Sequence, residues 1–260
     1  MSENNIDRSL ILEVEDLGID FGGLTAVNNL NLKVYNNEIV GLIGPNGAGK
    51  TTVFNMLTKV YQPSRGTIRL CGQDTAKMTT EDVNKAGIAR TFQNIRLFSN
   101  LSVIDNVKAG MHNEITYSPA DSIFRTKKYY SEEKRIDEKA HELLKIMGLD
   151  DLAEVSAGSL PYGGQRRLEI ARAMATNPKL LLLDEPAAGM NPQETEELMD
   201  MIRFVRDHFH IAILLIEHDM KLVMGICERI TVINFGMMLA SGTPEEIQSN
   251  PAVIKAYLGE

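Results

Sequence analysis

The chain has no tryptophan, only two cysteines and no long hydrophobic run. Cys71 and Cys227 lie far apart and show no partner pattern, which argues against a disulfide framework or a cysteine metal site. No apolar segment approaches the roughly 20 residues that a helix needs to span a bilayer. The segment Met1–Asp7 lacks the basic and apolar regions of a signal peptide. We therefore expect reduced thiols in a protein that stays in the cytoplasm.

Basic residues are also scarce relative to acidic ones. The 27 Lys and Arg residues against 35 Asp and Glu residues give a formal net charge of -8, which argues against a nucleic-acid binder. A membrane-protein partner stays possible, because such docking is local. The length of 260 residues is sufficient for a real core in one large or two unequal domains.

The best-defined motif is a short apolar run followed by a glycine-rich loop. Ile39–Ile43 predicts a strand buried on both faces, and the residues after Gly49 predict the start of a helix. The loop between them fits the phosphate-loop pattern G-x-x-x-x-G-K-[ST] in its strand–loop–helix context. The motif consists of Gly44, Pro45, Asn46, Gly47, Ala48, Gly49, Lys50, Thr51 and Thr52. A complete motif in this context disfavours a turn that merely connects strand and helix.

Each residue type in this loop suits the binding of a nucleotide. Glycines let the backbone approach phosphate oxygens, and successive N–H groups with the helix N-terminus form an anion cradle. We expect Lys50 to reach the outer phosphates and the Thr51 hydroxyl to ligate Mg²⁺. The predicted ligands are thus ATP and Mg²⁺.

A second apolar strand supplies the acids that hydrolysis needs. Leu180–Leu183 is followed directly by Asp184, which we expect to reach the Mg²⁺ shell, and by Glu185, which we expect to act as general base toward water. The alternative is a strand-to-helix turn with solvated carboxylates. The intact phosphate loop upstream favours the catalytic reading.

Gln93 and His218 also follow predicted strands. Ligands of open α/β sheets bind outside the carboxyl ends of strands, so we expect both side chains to converge with Asp184 and Glu185 on one γ-phosphate. A lone histidine is more often structural than catalytic, and only the parallel with the other strand ends favours a role for His218. Phe21, upstream of the loop, is suited equally to stacking on a base or to a strand-end core position.

The remaining pattern is α/β with a helical interruption. Residues 97–157 are charged and rich in helix formers, and we interpret them as a helical subdomain inserted into an α/β core. The exposed excursion at 113–130 belongs to this part. Strands are predicted at 11–17, 30–35, 39–43, 67–72, 88–93, 180–183, 211–216 and 230–235, and helices at 165–176, at 192–209 and from Pro244 onwards.

The chain resembles ABC transporter ATPase subunits over essentially its whole length. The resemblance rests on motifs that occur in the order found in that family: the phosphate loop, Gln93, Leu160–Arg167, Asp184-Glu185 and His218. The resemblance implies a single ABC ATPase domain over residues 1–260, with a phosphate-loop NTPase core, an antiparallel β subdomain and the inserted helical subdomain extending into a signature helix at 158–176. It also implies that Phe21 stacks on the base, that Gln93 links Mg²⁺ to the membrane subunit and that His218 contacts the γ-phosphate.

The resemblance further implies that two chains meet head to tail and that the signature segment of each, residues 160–165, closes over ATP held by the other. In this register the signature segment is Leu160, Pro161, Tyr162, Gly163, Gly164 and Gln165, where the family usually has Leu-Ser-Gly-Gly-Gln. The backbone N–H groups of the two glycines can still hold phosphate. Asn191 stands where the dimer-contact loop of the family usually ends in aspartate.

These departures, together with Ile216–Met220, Gly242–Glu246 and Ala256–Gly259, resemble the ATPases of bacterial importers for branched-chain amino acids. This resemblance implies a peripheral position at the cytoplasmic face of the membrane, with permease subunits, a second ATPase subunit (identical or not) and, indirectly, a solute-binding protein as partners. A transporter ATPase for urea, lipopolysaccharide or another cargo is the main alternative. A soluble ABC ATPase of DNA or ribosome maintenance is disfavoured by the acidic charge and the single cassette. A small-molecule kinase would have no use for the signature segment.

Overall fold

The computed structural model describes residues 9–258. The segment Met1–Asp7 and the terminal Gly259 of the importer-like motif lie outside the described residues. None of the described helices is both long and apolar enough to cross a membrane. The chain forms two compact units, one with the residues up to Gln93 and from Lys179 onwards, the other spanning Asn94–Pro178.

All strands of the described residues belong to the first unit and form two sheets. The antiparallel sheet has the order β2-β1-β4-β5, and the other has the order β10-β9-β3-β8-β7-β6. In the second sheet β6, β7, β8, β3 and β9 run parallel, and β10 pairs antiparallel at the edge. The strands are β1 (Leu10–Phe21), β2 (Leu24–Tyr35), β3 (Ile39–Ile43), β4 (Arg65–Leu70), β5 (Gln73–Asp74), β6 (Ile88–Arg90), β7 (Leu180–Asp184), β8 (Ala212–Ile216), β9 (Arg229–Asn234) and β10 (Met237–Gly242).

The parallel strands β3, β7 and β8 are buried at every position, as their continuous apolar runs predict. Helix α1 (Lys50–Leu57) starts directly after the loop that leaves β3. Its apolar side chains share one core with both sheets, so the phosphate-loop motif is fixed between two rigid layers.

The described helices of the first unit are α1, α2 (Thr80–Ala86), α7 (Pro192–Phe209), α8 (Met220–Ile226), α9 (Pro244–Gln248) and α10 (Pro251–Leu258). The second unit is helical, with α3 (Val103–Gly110), α4 (Pro119–Phe124), α5 (Lys127–Ile146), α6 (Tyr162–Met174) and short 3-10 helices at Met111–Glu114, Asp150–Leu152 and Ala157–Ser159. The buried side chains of α5 are Ile136, Ala140, Leu143 and Leu144, at helical spacing.

The structure confirms the helix after Asn191 and its cap. The Asn191 side chain accepts hydrogen bonds from the N–H groups of Gln193 and Glu194, at 2.9 and 3.0 Å, and the Glu194 carboxylate accepts one from the Asn191 N–H at 2.9 Å. This capping box uses the Asn191 oxygen within its own chain.

Several predicted boundaries were wrong for local reasons. The strands β1 and β2 are much longer than predicted, because bulges at Asp16 and Asn29, both at positive φ, shift the buried face and break the alternation. Strand β6 ends at Arg90, so Gln93 lies three residues beyond it. Helix α6 begins three residues before the predicted Gln165 and ends two before Thr176. Sequence analysis did not predict the edge strand β10 or the short helix α2.

Candidate functional site

The loop after β3 is shaped by close backbone contacts. A Cβ atom at Gly44 would overlap the carbonyl oxygen of Ile233 on the neighbouring strand β9. Gly49 caps α1 in the left-handed region, at φ 102°, and a Cβ there would lie 2.9 Å from the Ala26 carbonyl oxygen. Glycine is therefore required at both positions for steric as well as conformational reasons.

The turn between β9 and β10 is attached to this loop. The Gly236 N–H donates to the Ala48 carbonyl at 3.0 Å, and the Asn28 N–H donates to the Gly236 carbonyl at 2.8 Å. Phe235, which precedes this glycine, has a positive φ of 45° and leaves 84% of its side chain exposed. Since a left-handed phenylalanine is strained, the turn must be held by its neighbours.

A cavity of about 470 Å³ opens between these elements. Its volume and its lining of backbone amides, one ammonium and apolar side chains are typical of a small-molecule site. The residues that line it are Leu24, Thr25, Ala26, Asn46, Gly47, Ala48, Gly49, Lys50, Thr51, Thr52, Glu185 and Phe235.

The cavity thus contains most of the predicted phosphate-loop residues and the predicted base. Phe21 is not among the lining residues. Its ring is 43% exposed and meets Tyr61 edge-on, with 5.2 Å between the ring centroids. Leu24 and Phe235 were not predicted. An aromatic residue before a glycine, after an apolar strand, was the only sequence signal for Phe235.

Lys50 is held at the base of the loop. Its Nζ donates to the carbonyl oxygens of Gly44 and Pro45, at 2.6 and 3.0 Å, and the side chain is almost fully buried. Burial lowers the pKa of the ammonium, while the Glu185 and Asp184 carboxylates oppose that shift. A desolvated cation facing a polar cavity is well suited to attract a polyphosphate.

Glu185 lies between the two other polar residues predicted at strand ends. Its Oε2 accepts a hydrogen bond from Gln93 Nε2 at 2.6 Å and lies 3.7 Å from His218 Nδ1. Glu185 has a positive φ of 47°, and its N–H donates to the Ile216 carbonyl at 2.9 Å. The chain turn after β7 is therefore anchored to β8, and it aims the carboxylate at Gln93 and His218.

Asp184, the last residue of β7, is buried and paired with Arg90. The Arg90 guanidinium donates to Asp184 Oδ2 at 2.6 Å and to Asn55 Oδ1 on α1 at 2.8 Å. It also lies over the rings of Phe54 and Phe92. Sequence reasoning missed Arg90, although a charged residue at the end of an apolar strand was a signal.

We expect loss of the Arg90 guanidinium to destabilise the chain substantially. The change Arg90→Met keeps the apolar packing but leaves Asp184 as an unpaired buried carboxylate, which costs about 3 kcal/mol. The measurement is the shift of the thermal unfolding midpoint. Lys85→Met, which removes an exposed pair with Glu81, is the matched control and should leave the midpoint unchanged. An equal effect of both variants would contradict the buried-pair argument.

The C-terminal helix α10 also reaches the phosphate loop. Partial burial of the Tyr257 phenol raises its pKa, and the nearby backbone of Gly44 opposes that shift. The sequence of this helix gave no sign of the contact. The last helix of the described chain is thus part of the surroundings of the loop.

In the second unit, the signature segment forms the entry to α6. Leu160 is buried, Pro161 is the N-cap without a side-chain cap, and Tyr162, Gly163 and Gly164 form the first turn. A Cβ at Gly163 would have nothing within 4 Å, so the backbone is open to approach there. The Gln165 side chain donates back to the Leu160 carbonyl at 2.8 Å, which closes the turn.

Comparison with protein families supplies the identification. The family model described as ABC transporter matches residues 27–188, which include the phosphate loop, the signature segment, Asp184 and Glu185. The chain belongs to the ABC transporter family. A second model, described as branched-chain amino acid ATP-binding cassette transporter, matches residues 238–260 of this ABC chain. Family membership implies ATP binding and confirms the predicted resemblance.

Curated relatives of this ABC subunit cover almost its whole length. The chain is 50% identical over 96% of its length, and 98% of theirs, to the high-affinity branched-chain amino acid transport ATP-binding proteins BraF of Pseudomonas aeruginosa and LivG of Escherichia coli. It is 33% identical, with the same coverage, to the lipopolysaccharide export system ATP-binding protein LptB of Haemophilus influenzae.

Solved structures of ABC cassettes share the fold. The ADP conformation of an ATP-binding cassette from an ABC transporter aligns with a TM-score of 0.84 and 29% identity, over 96% of this chain and 99% of that one. The match confirms the predicted ABC ATPase fold of α/β core, antiparallel sheet and helical part.

Proposed function

We propose that this chain is the ATP-hydrolysing subunit of a membrane importer for branched-chain, hydrophobic amino acids. The identity of 50% to two transport ATPases of that name, over 96% of the chain, is the observation that supports it most strongly. The match of residues 238–260 to the branched-chain amino acid model supports the same cargo. The lower identity of 33% to a lipopolysaccharide export ATPase makes that cargo the weaker alternative.

The proposed partners are those of an importer ATPase at the cytoplasmic face of the membrane. They are permease subunits, a second ATPase subunit (a copy of this chain or a relative) and, through the permease, a solute-binding protein. The absence of a basic excess supports the exclusion of nucleic acid. Within the chain, we assign residues 97–157, extended by 158–176, to the inserted helical subdomain.

The triphosphate of ATP is held by the phosphate loop. Backbone N–H groups of the cavity-lining part of the loop, from Asn46 to Thr52, and the N-terminus of α1 face the anion, and the Lys50 ammonium neutralises the outer phosphates. The adenine base of ATP lies beside Leu24 and Phe235, whose side chains offer apolar surface in the cavity. Phe21, half exposed at the end of β1, is the third candidate for base contact.

The surroundings of the loop also suit Mg²⁺. Thr51 lines the cavity, and Asp184 and Gln93 lie next to Glu185, which also lines it, so a hydroxyl, a carboxylate and an amide oxygen are available there as ligands. Mg²⁺ requires only one or two carboxylates besides phosphate and water, which fits this sparse set. When bound, the ion neutralises charge on the β- and γ-phosphates.

Hydrolysis follows from the arrangement around Glu185. Glu185 accepts a proton from water as the water oxygen bonds to the γ-phosphorus, and the bond from that phosphorus to the bridging oxygen of ADP breaks. Gln93 orients the carboxylate through its hydrogen bond of 2.6 Å, and His218, at 3.7 Å from Glu185 Oε2, contacts the γ-phosphate.

The signature segment completes the site across two subunits. Residues Leu160, Pro161, Tyr162, Gly163, Gly164 and Gln165 present the N-terminus of α6 to ATP bound by the partner ATPase. ATP then joins the two ATPases, and its hydrolysis removes the differential binding energy of the closed pair. Gln93 and the helical subdomain transmit the opening to the permease.

Uptake measurements test the proposed cargo. A strain lacking this chain should lose energised uptake of radiolabelled leucine, and the native chain should restore it while Glu185→Gln should not. Excess isoleucine and valine should compete, and urea should not. Normal leucine uptake without the chain would refute the importer, and a defect in lipopolysaccharide export instead would assign the alternative cargo.

We expect Phe235→Ala to weaken ATP binding three- to tenfold. Stacking on a base contributes about 1 kcal/mol, and Phe235 lines the cavity. Isothermal titration should show an increased Kd for ATP and ADP but an unchanged Kd for tripolyphosphate, which has no base.

Two variants make this measurement decisive. Phe21→Ala, measured in parallel, shows whether the strand-end aromatic contributes as well. Phe124→Ala, which truncates a 79% exposed ring on α4, is the matched control and should change neither Kd. Equal weakening of ATP and tripolyphosphate binding by Phe235→Ala would contradict a base contact.

A further inference from the structure

Glu217 is a buried carboxylate beside the proposed catalytic residues, with no role in the mechanism above. Only 1% of the residue is exposed, although it directly follows the last residue of β8 and precedes His218. Burial raises the pKa of Glu217, and the hydrogen bonds it accepts oppose that shift. A buried carboxylate is expensive to desolvate, so its partners require an explanation.

The partners of Glu217 are backbone N–H groups of two different loops. Its Oε1 accepts from the Ala187 N–H at 2.8 Å, in the loop that begins with Glu185. Its Oε2 accepts from the N–H groups of His218 and Asp219, at 3.0 and 3.3 Å. One carboxylate therefore joins the loop after β7 to the loop after β8.

Local capping does not account for this arrangement. The start of α8 is capped by Asp219, whose Oδ1 accepts from the N–H groups of Lys221 and Leu222 at 2.9 and 3.2 Å. The bond to Ala187 spans 30 residues and contributes nothing to that cap. Its effect is to fix the distance between two loops.

We infer that Glu217 is a positioning residue, which holds the loop of Glu185 and the loop of His218 in the relative arrangement that ATP hydrolysis requires. This inference rests on the proposed function. Ala187 lies two residues after Glu185, and His218 directly follows Glu217, so a shift of either loop changes the 3.7 Å separation of Glu185 Oε2 and His218 Nδ1. Misplacement of catalytic groups by about 1 Å reduces rates by about 10²-fold.

The first test variant is Glu217→Gln. It has the same shape, but its amide NH₂ group must face at least one backbone N–H, because both carboxylate oxygens are acceptors here. We expect kcat for ATP hydrolysis to fall by about tenfold or more while KM for ATP changes less than twofold, because the phosphate loop is untouched. Kinetics are measured on the full-length chain purified with its transporter subunits.

The second test variant, Glu217→Asp, separates the bridge from the local turn. Aspartate readily accepts a hydrogen bond from the N–H two residues ahead, so it preserves the bond to Asp219, but it is one methylene shorter and loses Ala187. We expect Glu217→Asp to fold and to keep native ATP affinity, with an unfolding midpoint lowered by the loss of one buried hydrogen bond, and to retain the kcat defect.

Glu228→Gln is the matched control, since Glu228 is an exposed carboxylate paired with Arg206. It should leave both kcat and KM unchanged. Native kcat in Glu217→Asp would overturn the inference. This holds even if Glu217→Gln loses kcat, ATP binding and thermal stability together. Glu185→Gln, assayed alongside, separates the two hypotheses: normal turnover there overturns the proposed base itself, whereas loss of turnover there with native Glu217 variants overturns the positioning role alone.

Discussion

Glu185→Gln is expected to bind ATP normally and to hydrolyse it about 10²- to 10⁴-fold more slowly than the native chain. The amide cannot accept a proton from the attacking water at neutral pH. Its oxygen can still accept the hydrogen bond that Gln93 donates to Glu185 at 2.6 Å, so the loop structure should persist. The loss should therefore appear in kcat, with ATP affinity preserved.

The same variant should trap the closed ATPase pair. ATP that is bound but not hydrolysed continues to bridge the phosphate loop of one subunit and the signature segment of the other, so dimer accumulates with ATP and not with ADP. Size-exclusion chromatography with light scattering measures this, on the chain with whichever ATPase partner it has. Glu138→Gln, at an exposed carboxylate on α5, is the control and should neither slow turnover nor trap a dimer. Native turnover in Glu185→Gln would rule out Glu185 as the base.

Lys50→Ala is expected to weaken ATP binding by about 100-fold, equivalent to about 2.7 kcal/mol. Among the described residues that line the cavity, Lys50 is the one lysine, and charge-assisted bonds to phosphate are lost with its ammonium. The Gly44 and Pro45 carbonyls also lose their donor, at 2.6 and 3.0 Å, so the loop is less well ordered before ATP arrives.

Binding of a fluorescent ATP analogue measures the effect of Lys50→Ala directly. Hydrolysis at cellular ATP concentrations should fall with occupancy, and Glu185→Gln should differ by retaining affinity. Lys85→Ala, which removes an exposed lysine from α2, is the matched control and should bind like the native chain. Native affinity in Lys50→Ala would contradict the phosphate-binding role of the loop.

The parts of the fold that sequence analysis predicted are those with strong local signals. The apolar runs of β3, β7 and β8 are continuous because these strands are buried on both faces, and this composition is visible without a structure. The strands β1 and β2 were only partly recognised, because bulges change which face each residue occupies. Propensity alone does not reveal where such a bulge falls.

The candidate site divides in the same way. The phosphate loop, Asp184 and Glu185 are recognisable because their chemistry depends on consecutive residues at a strand end. Arg90 could not be assigned because its importance lies in its contact with Asp184, and Phe235 could not because it lines the cavity from a turn that Gly236 attaches to Ala48. The prediction that Gln93 ends its strand was wrong, because β6 stops at Arg90. The Gln93 side chain reaches Glu185 from the loop that follows β6.

The sequence by itself predicted which residues bind phosphate and which carboxylate activates water, and it determined the order in which they occur. Only the tertiary structure decided which distant residues support them, such as Arg90, 94 residues from Asp184, and Glu217, 30 residues from Ala187. Motifs and periodicities report interactions within a few residues, whereas these pairs exist because β7 lies between β6 and β8 in the sheet. Strand order is a property of the whole packed core, and no local pattern in the chain encodes it.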